Sequence, residues 1–195
     1  MKKKNIIIIV SILVLIILLV PIKFQYKDGG TIEYRSLIYK IIKWHRLDEY
    51  YENGLKIGTE IHFFPNNLKP IDYFDEVKPP RFSLIYIDEL FYSQVLSYCW
   101  KNEYNSVCAD TLGPTDINYK EVINVNKNDE FHYGTFIPIT SIKLYDENGI
   151  FDYDIEFSND DEIIRVPDIS GVYFLQIYYK SLEGNVSYAF KININ

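Results

Sequence analysis

The sequence predicts a mostly β protein: one amino-terminal transmembrane helix, a short β-rich segment beside it, and a carboxy-terminal immunoglobulin-like β-sandwich. Three observations carry this. Residues Ile6 to Ile22 form an unbroken uncharged run, preceded by Lys2, Lys3 and Lys4. The chain holds 18 Tyr and 12 Phe, with Ile frequent as well, and aromatic and β-branched side chains suit pleated, half-buried surfaces. From Arg81 onward, short alternating runs are separated by turn residues at intervals of about ten, the spacing of a sandwich.

The run IIIIVSILVLIILLVPI has Ser11 as its one hydroxyl. As a helix of 1.5 Å rise per residue it covers roughly 25 Å, close to the lower limit for crossing hydrocarbon. Lys4 and Lys23 can reach the head groups from either end. Lysines in front of the run favour a cytoplasmic amino terminus. The expected layout is residues 1–22 as lysine cluster and anchor, 23–80 as the juxtamembrane β-rich segment and 81–195 as the sandwich. The expected location is the cell membrane, single-pass, with the carboxy-terminal domain extracytoplasmic. A cleaved signal peptide is the competing reading. The exit Val20-Pro21-Ile22-Lys23-Phe24-Gln25 offers a peptidase no small residues, which favours an uncleaved anchor.

The formal charge is −7, from 20 basic and 27 acidic residues. Without Lys2 to Lys4 the remainder is near −10, with 17 basic against the same 27. Such a balance argues against nucleic acid as a partner and against adhesion to anionic lipid, both of which reward cationic faces.

After the anchor, Asp28-Gly29-Gly30 signals a turn. Thr31 to His45 fits either period, but its β-branched and aromatic content favours a strand. Read with period two, Ile32, Tyr34, Ser36, Ile38, Lys40, Ile42 and Trp44 share one face. Glu52-Asn53-Gly54 turns the chain into a strand over residues 55–65, with Thr59, Ile61 and Phe63 on one side and Glu60, His62 and Phe64 on the other. His62 reads as a solvated residue, because no catalytic partner is spaced to meet it. Asn66-Asn67 opens a loop, and Lys78-Pro79-Pro80 marks the domain boundary, since successive prolines stiffen the chain and donate no ladder hydrogen bonds.

In the last part, strands are expected at residues 82–87, 91–100, 121–125, 130–137, 141–145, 152–157, 163–166, 172–180 and 186–194. Asp146 to Gly149 and Ser158 to Asp161 are turns, and Pro114 within Asp110 to Asp116 can open a short helical turn. Asp168-Ile169-Ser170-Gly171-Val172-Tyr173 has the pattern of a tyrosine corner, in which the ring packs at the core edge and its hydroxyl bonds back to preceding backbone. Asp168, Gly171 and Tyr173 are its candidate residues. If residues 98–100 and 107–109 face each other as strands, Cys99 and Cys108 come within disulfide reach, which an extracytoplasmic address permits. Two separate, partly buried thiols are the alternative.

Two stretches carry a family resemblance. Lys27-Asp28-Gly29-Gly30-Thr31, Glu33-Tyr34, Tyr39-Lys40 and Lys43-Trp44 resemble the juxtamembrane motif of a family of uncharacterised membrane-anchored proteins of Gram-positive bacteria. Ser97-Tyr98-Cys99-Trp100, Ala109-Asp110, Gly171-Val172-Tyr173 and residues 184–191 resemble the immunoglobulin-like module of the same family. The resemblance implies a location and a domain layout and no activity. Cys99 stands where the relatives carry serine, so the cysteine is not a family feature.

The motifs of envelope enzymes are missing from the sequence: Gly-x-Ser-x-Gly, Ser-x-x-Lys, His-Glu-x-x-His and a glycine-rich phosphate loop. No catalytic residue, cofactor or metal site is therefore expected. The two cysteines and His45, His62 and His132 lack ligand spacing. Asp152, Asp154 and Glu156 read as the wet face of a strand whose other face buries Tyr153, Ile155 and Phe157, rather than as a calcium site. Tyr50, Tyr51, Phe63, Phe64, Tyr73 and Phe74 crowd a segment too small to hide them, and form a candidate interaction face. The expected role is to present a binding or structural module to an envelope protein or a cell-wall partner. The alternative is an accessory or immunity-type regulator acting in the membrane plane through its anchor.

Overall fold

The computed structural model describes residues 3–48, 51, 53–110, 112–134, 138–151, 153 and 155–195, with Ile150 and Phe151 described by backbone alone. The chain divides into two compact units, Met1–Asp75 and Glu76–Asn195.

The first unit begins with helix α1, Lys3–Leu19, which has no buried residue. The helix ends earlier than its apolar sequence. Val20 still donates to the Ile16 carbonyl at 2.9 Å, but a residue preceding proline is pushed out of the α region, and strand β1 (Ile22–Gln25) starts directly after Pro21. The apolar helical stretch is thus Ile6 to Leu19, about 21 Å at 1.5 Å per residue. Among the described residues no helix is long and apolar enough to cross a membrane.

Strands β1, β2 (Ile32–Arg35), β3 (Tyr39–Leu47) and β4 (Leu55–Phe63) form an antiparallel meander in chain order. Asp28 shapes the first turn by accepting from the backbone N–H of Thr31 at 3.0 Å. Gly29 is required there. Its φ is +121°, and a Cβ would lie 2.9 Å from the Leu47 nitrogen, which donates to the Asp28 carbonyl. Residues 31–45 are not one strand. Ser36 closes a hairpin turn, its N–H donating to the Tyr39 carbonyl at 2.8 Å and its hydroxyl accepting from the Tyr39 N–H at 3.0 Å. The reversal separates residues expected on one face: Ile32 and Tyr34 lie on one side of the sheet, and Lys40, Ile42 and Trp44 on the other.

The second unit is a two-sheet sandwich. One sheet has the order β13-β14-β10-β5-β6, from Phe157–Ser158, Ile163–Arg165, Glu130–Tyr133, Ser83–Tyr86 and Glu89–Tyr92. The other has the order β12-β11-β15-β16-β7-β8, from Gly149–Phe151, Ile139–Asp146, Gly171–Lys180, Gly184–Ile194, Gln94–Lys101 and Ser106–Ala109. Strand β9 (Ile123–Val125) lies parallel to β16. The expected strand over 91–100 is broken at Ser93, whose N–H donates to the Phe82 carbonyl as the chain changes sheets. The expected strand over 152–157 is also revised. Asp152 and Asp154 lie outside the described residues; of the others in that run, Tyr153 is exposed rather than buried and Phe157 alone joins a strand. Of the expected strand 130–137, residues 130–133 are β10 and 135–137 lie outside the described residues.

The core follows from strand alternation. Leu84 and Tyr86 of β5, Phe131 and Tyr133 of β10 and Ile164 of β14 meet Tyr173, Leu175, Ile177 and Tyr179 of β15 and Val186, Tyr188, Phe190, Ile192 and Ile194 of β16. Phe82 stacks between Tyr133, at 5.7 Å, and Tyr188, at 5.2 Å. The buried hydroxyls find acceptors: Tyr188 donates to the Pro80 carbonyl at 2.5 Å and Tyr133 to Asn159 Oδ1 at 2.8 Å. That satisfaction is what makes tyrosine tolerable in a dry core.

Candidate interaction surface

The meander of the first unit has two faces, and their chemistry is inverted. The covered face holds the charges. Glu33 (β2) and Lys40 (β3) are fully buried and form an ion pair at 3.1 Å. Glu33 also accepts from Arg35 Nε at 2.6 Å and from the Tyr26 hydroxyl at 2.5 Å, and Lys40 donates to the Lys69 carbonyl. Burial pushes the Glu33 carboxyl up, but the hydrogen bonds from Arg35, Tyr26 and Lys40 outweigh it and hold the group below its ordinary value. Burial draws Lys40 down despite its anionic partner, and burial with the bond to Glu33 pushes Tyr26 up to about 12.

The cover is the segment after β4, two short 3-10 turns at Asn66–Leu68 and Ile71–Phe74. Buried Asn67 donates to the Ser36 carbonyl at 3.1 Å. Phe74 lies over Lys40, 5.4 Å from Nζ, and stacks on His62 at 3.7 Å. His62 is therefore packed, and bonded to Glu60 at 3.0 Å, rather than solvated as its strand position suggested. Trp44 donates to Glu60 at 2.7 Å and carries Lys56 over its ring at 3.9 Å. Asp75 closes the cluster by accepting from Arg46 at 2.6 Å and Lys56 at 3.2 Å.

The opposite face is apolar and bare. Strand register places Ile32, Tyr34, Tyr39, Ile41, Leu47, Leu55, Ile57, Ile61 and Phe63 together, with Gln25, Thr59, Lys23, Lys43 and His45 as the other strand residues on that side. Leu47 is 71 % exposed, Ile57 63 %, Ile61 56 % and Phe63 68 %. Thr59, Lys43 and His45 interrupt the apolar residues, and Ile32, Tyr34, Tyr39, Ile41 and Leu55 are half-buried; exposed apolar side chains grouped on one face in this way suit contact with another molecule or with lipid.

The six aromatic residues expected to form one interaction face are not brought together. Tyr50 lies outside the described residues. Tyr51 is half-buried in the turn between β3 and β4, where its carbonyl accepts from Gly54 at 2.8 Å. Phe63 and Phe64 are exposed at the end of β4, whereas Tyr73 and Phe74 are half-buried in the covering segment. The sequence placed Ile32 and Ile61 each on a strand face but did not join them, with Ile57 and Leu47, into one exposed surface. Alternation does reveal them, once the hairpin turn at Ser36 fixes which residues share a side.

In the second unit, Cys99 (β7) and Cys108 (β8) pair across the hairpin, their Cα atoms 4.0 Å apart, and are joined as a disulfide. Tyr173 is buried and donates to the Ser170 carbonyl at 3.2 Å. Gly171 has φ +135°, and a Cβ there would lie 3.3 Å from the Tyr173 ring. Asp168 is an exposed residue 3.7 Å from Lys127.

Among the described residues no group of three His, Cys, Asp or Glu side chains could hold a metal ion. A depression of about 350 Å³ on the larger sheet is lined by hydroxyls, among them Ser97, Ser141, Tyr178 and Ser187. Tyr178 is pushed up to about 12 by burial and by its hydrogen bond with Tyr145. These groups can exchange hydrogen bonds with a polar ligand at neutral pH, and they hold their protons while doing so. Comparison with protein-family profiles, with curated proteins and with solved structures returns no match to the chain.

Proposed function

We propose that the protein is a membrane-anchored presenter: α1 sits in a lipid bilayer and the β-sandwich stands on the extracytoplasmic side as a non-enzymatic binding or structural module. The observation that carries this reading is α1 itself. From Ile6 to Ile17 every apolar side chain is exposed, and none of the helix is buried against the protein. Leaving that surface in water costs about 25 cal/mol per Å², so a lipid environment is its natural solvent. The helical stretch is short for the roughly 30 Å hydrocarbon core. Lysines 3 and 4 before it, and Val20 to Lys23 after it, supply the remaining reach through snorkelling and local thinning.

The immunoglobulin-like reading of the sandwich is supported by strand order. Taking β5, β10, β11, β12, β13, β14, β15 and β16 as strands A, B, C, C′, D, E, F and G, the sheets read D-E-B-A and C′-C-F-G, the arrangement of that fold. Tyr173 then sits near the start of strand F, where a tyrosine corner belongs. Strands β6 to β9, with the disulfide hairpin, are an insertion between A and B that extends both sheets. Binding is favoured over catalysis because the ionisable pair Glu33 with Lys40 is covered by Phe74 rather than open to a substrate.

Replacing α1 by an unrelated hydrophobic helix tests the role. The presenter keeps its cellular function after the swap, whereas a regulator acting in the membrane plane through the helix loses it. Retrieval of a partner by the wild-type sandwich, and its loss when sandwich surface residues are changed, completes the test.

A further inference from the structure

The bare face of the first unit's sheet has no acidic strand residue. Its ionisable strand residues, tyrosines apart, are Lys23, Lys43 and His45, while Glu33 and Glu60 point to the covered side. The acidity of the chain is carried elsewhere: residues 1–75 hold 11 basic and 8 acidic residues, and residues 76–195 hold 9 basic and 19 acidic.

The same face meets the end of the helix. Tyr39, on the bare side of β3, donates its hydroxyl to the Leu19 carbonyl at 3.0 Å. That carbonyl belongs to the last turn of α1, where backbone acceptors have no partner within the helix. The apolar surface of the helix and that of the sheet therefore join at Tyr39, and β1 follows the helix after only Val20 and Pro21.

We propose that this sheet face lies on the anionic surface of the bilayer that holds α1, with Ile57 and Ile61 in the interfacial layer, Tyr34 and Tyr39 at head-group depth and Lys23 and Lys43 against lipid phosphates. The inference rests on the membrane reading of α1 and adds the orientation of the first unit to it. Aromatic and basic side chains beside an apolar surface are the composition of a membrane–water interface. A second copy of the chain suits the face less well. Neither copy would offer an acidic strand residue on this side to pair Lys23 and Lys43 of the other.

The test uses the full chain reconstituted in vesicles of phosphatidylcholine and phosphatidylglycerol, with brominated phosphatidylcholine as quencher. Ile57→Trp reports on the face, and Leu182→Trp, in the second unit, is the control. Each is read as emission added to that of the parent with Trp44 and Trp100. The expected result is loss of most of the emission added by I57W, little loss for L182W, and weaker quenching of I57W when Lys43→Glu is added or phosphatidylglycerol is omitted. Resistance of the chain to high-pH extraction is measured on the same vesicles. If the chain resists extraction while I57W stays bright, the proposal is wrong and the anchor stands. Equal quenching of I57W and L182W also overturns it. If the chain washes off at high pH, the anchor reading and this one fall together.

Discussion

Replacing Glu33 by Gln removes one negative charge from a place where three donors converge. Arg35 is 43 % exposed at its side chain and can turn to water, but Lys40 is fully buried and cannot. The cost therefore falls on the Lys40 ammonium, which loses its counter-charge and keeps neutral acceptors, the Lys69 carbonyl and the amide oxygen of the substituted side chain. Breaking a buried pair by removing one partner costs about 3–5 kcal/mol. The retained carbonyl places this case near the lower end, about 3 kcal/mol. At 1.4 kcal/mol per decade that is roughly a 150-fold rise in amide exchange across β2 and β3. Adding Lys40→Met removes the stranded charge and fills its space with an apolar chain, which is expected to recover most of the loss. Hydrogen exchange read by mass spectrometry on peptides covering residues 32–47 measures both variants within the full chain. E33Q within about 0.5 kcal/mol of the parent, or a double variant no better than E33Q, would refute the assignment of the cost to Lys40.

The remaining predictions concern both units. Because the Glu33 carboxyl is held below its ordinary value of 4.5, its stabilising contribution is complete above that value and is lost as pH falls through the depressed folded one. In a Trp100→Phe background, the Trp44 emission of the parent should change on acidification, and E33Q should remove that component. Lys40 adds a dependence of the same sign at higher pH: its folded value is lowered, so stability grows as pH rises from that value towards 10.5. Tyr173→Phe removes the hydroxyl that donates to Ser170 and should cost about 0.5–1.5 kcal/mol in denaturant unfolding of the sandwich, with the m-value unchanged. Gly184→Ala places a Cβ 2.0 Å from the Cys99 carbonyl oxygen. A loss of about 1–3 kcal/mol is expected, with faster exchange along β7 and β16.

The long carboxy-terminal hairpin was legible because each signal agreed with the others. Residues 172–180 and 186–194 alternate, and Gly184 is needed where the chain passes close to Cys99. The pairing of Tyr98–Trp100 with residues 107–109 was open in the sequence, which offered turn-forming residues between them but no strand pattern long enough to decide it. The hairpin at Ser36 was not legible, because Ser36-Leu37-Ile38 carries neither Gly, Pro nor Asn, and its closure depends on one serine hydroxyl bonding in both directions. The change of sheet at Ser93 has no local signal either; it is decided by which sheet offers Glu89–Tyr92 and Gln94–Lys101 a partner. The candidate surface was misread because alternation tells which residues share a face but not which face is covered. The usual rule, apolar side inward, fails where residues 66–74 cap a buried ion pair and leave the isoleucines outside.

In the proposed arrangement α1 holds the chain in a bilayer while the sandwich faces outward. Protease added to intact cells expressing the full chain tests it most directly. The sandwich should be digested from outside while a fragment containing α1 stays in the membrane. A sandwich protected in intact cells and cleaved only after lysis, or a chain recovered in the soluble fraction, would contradict that arrangement.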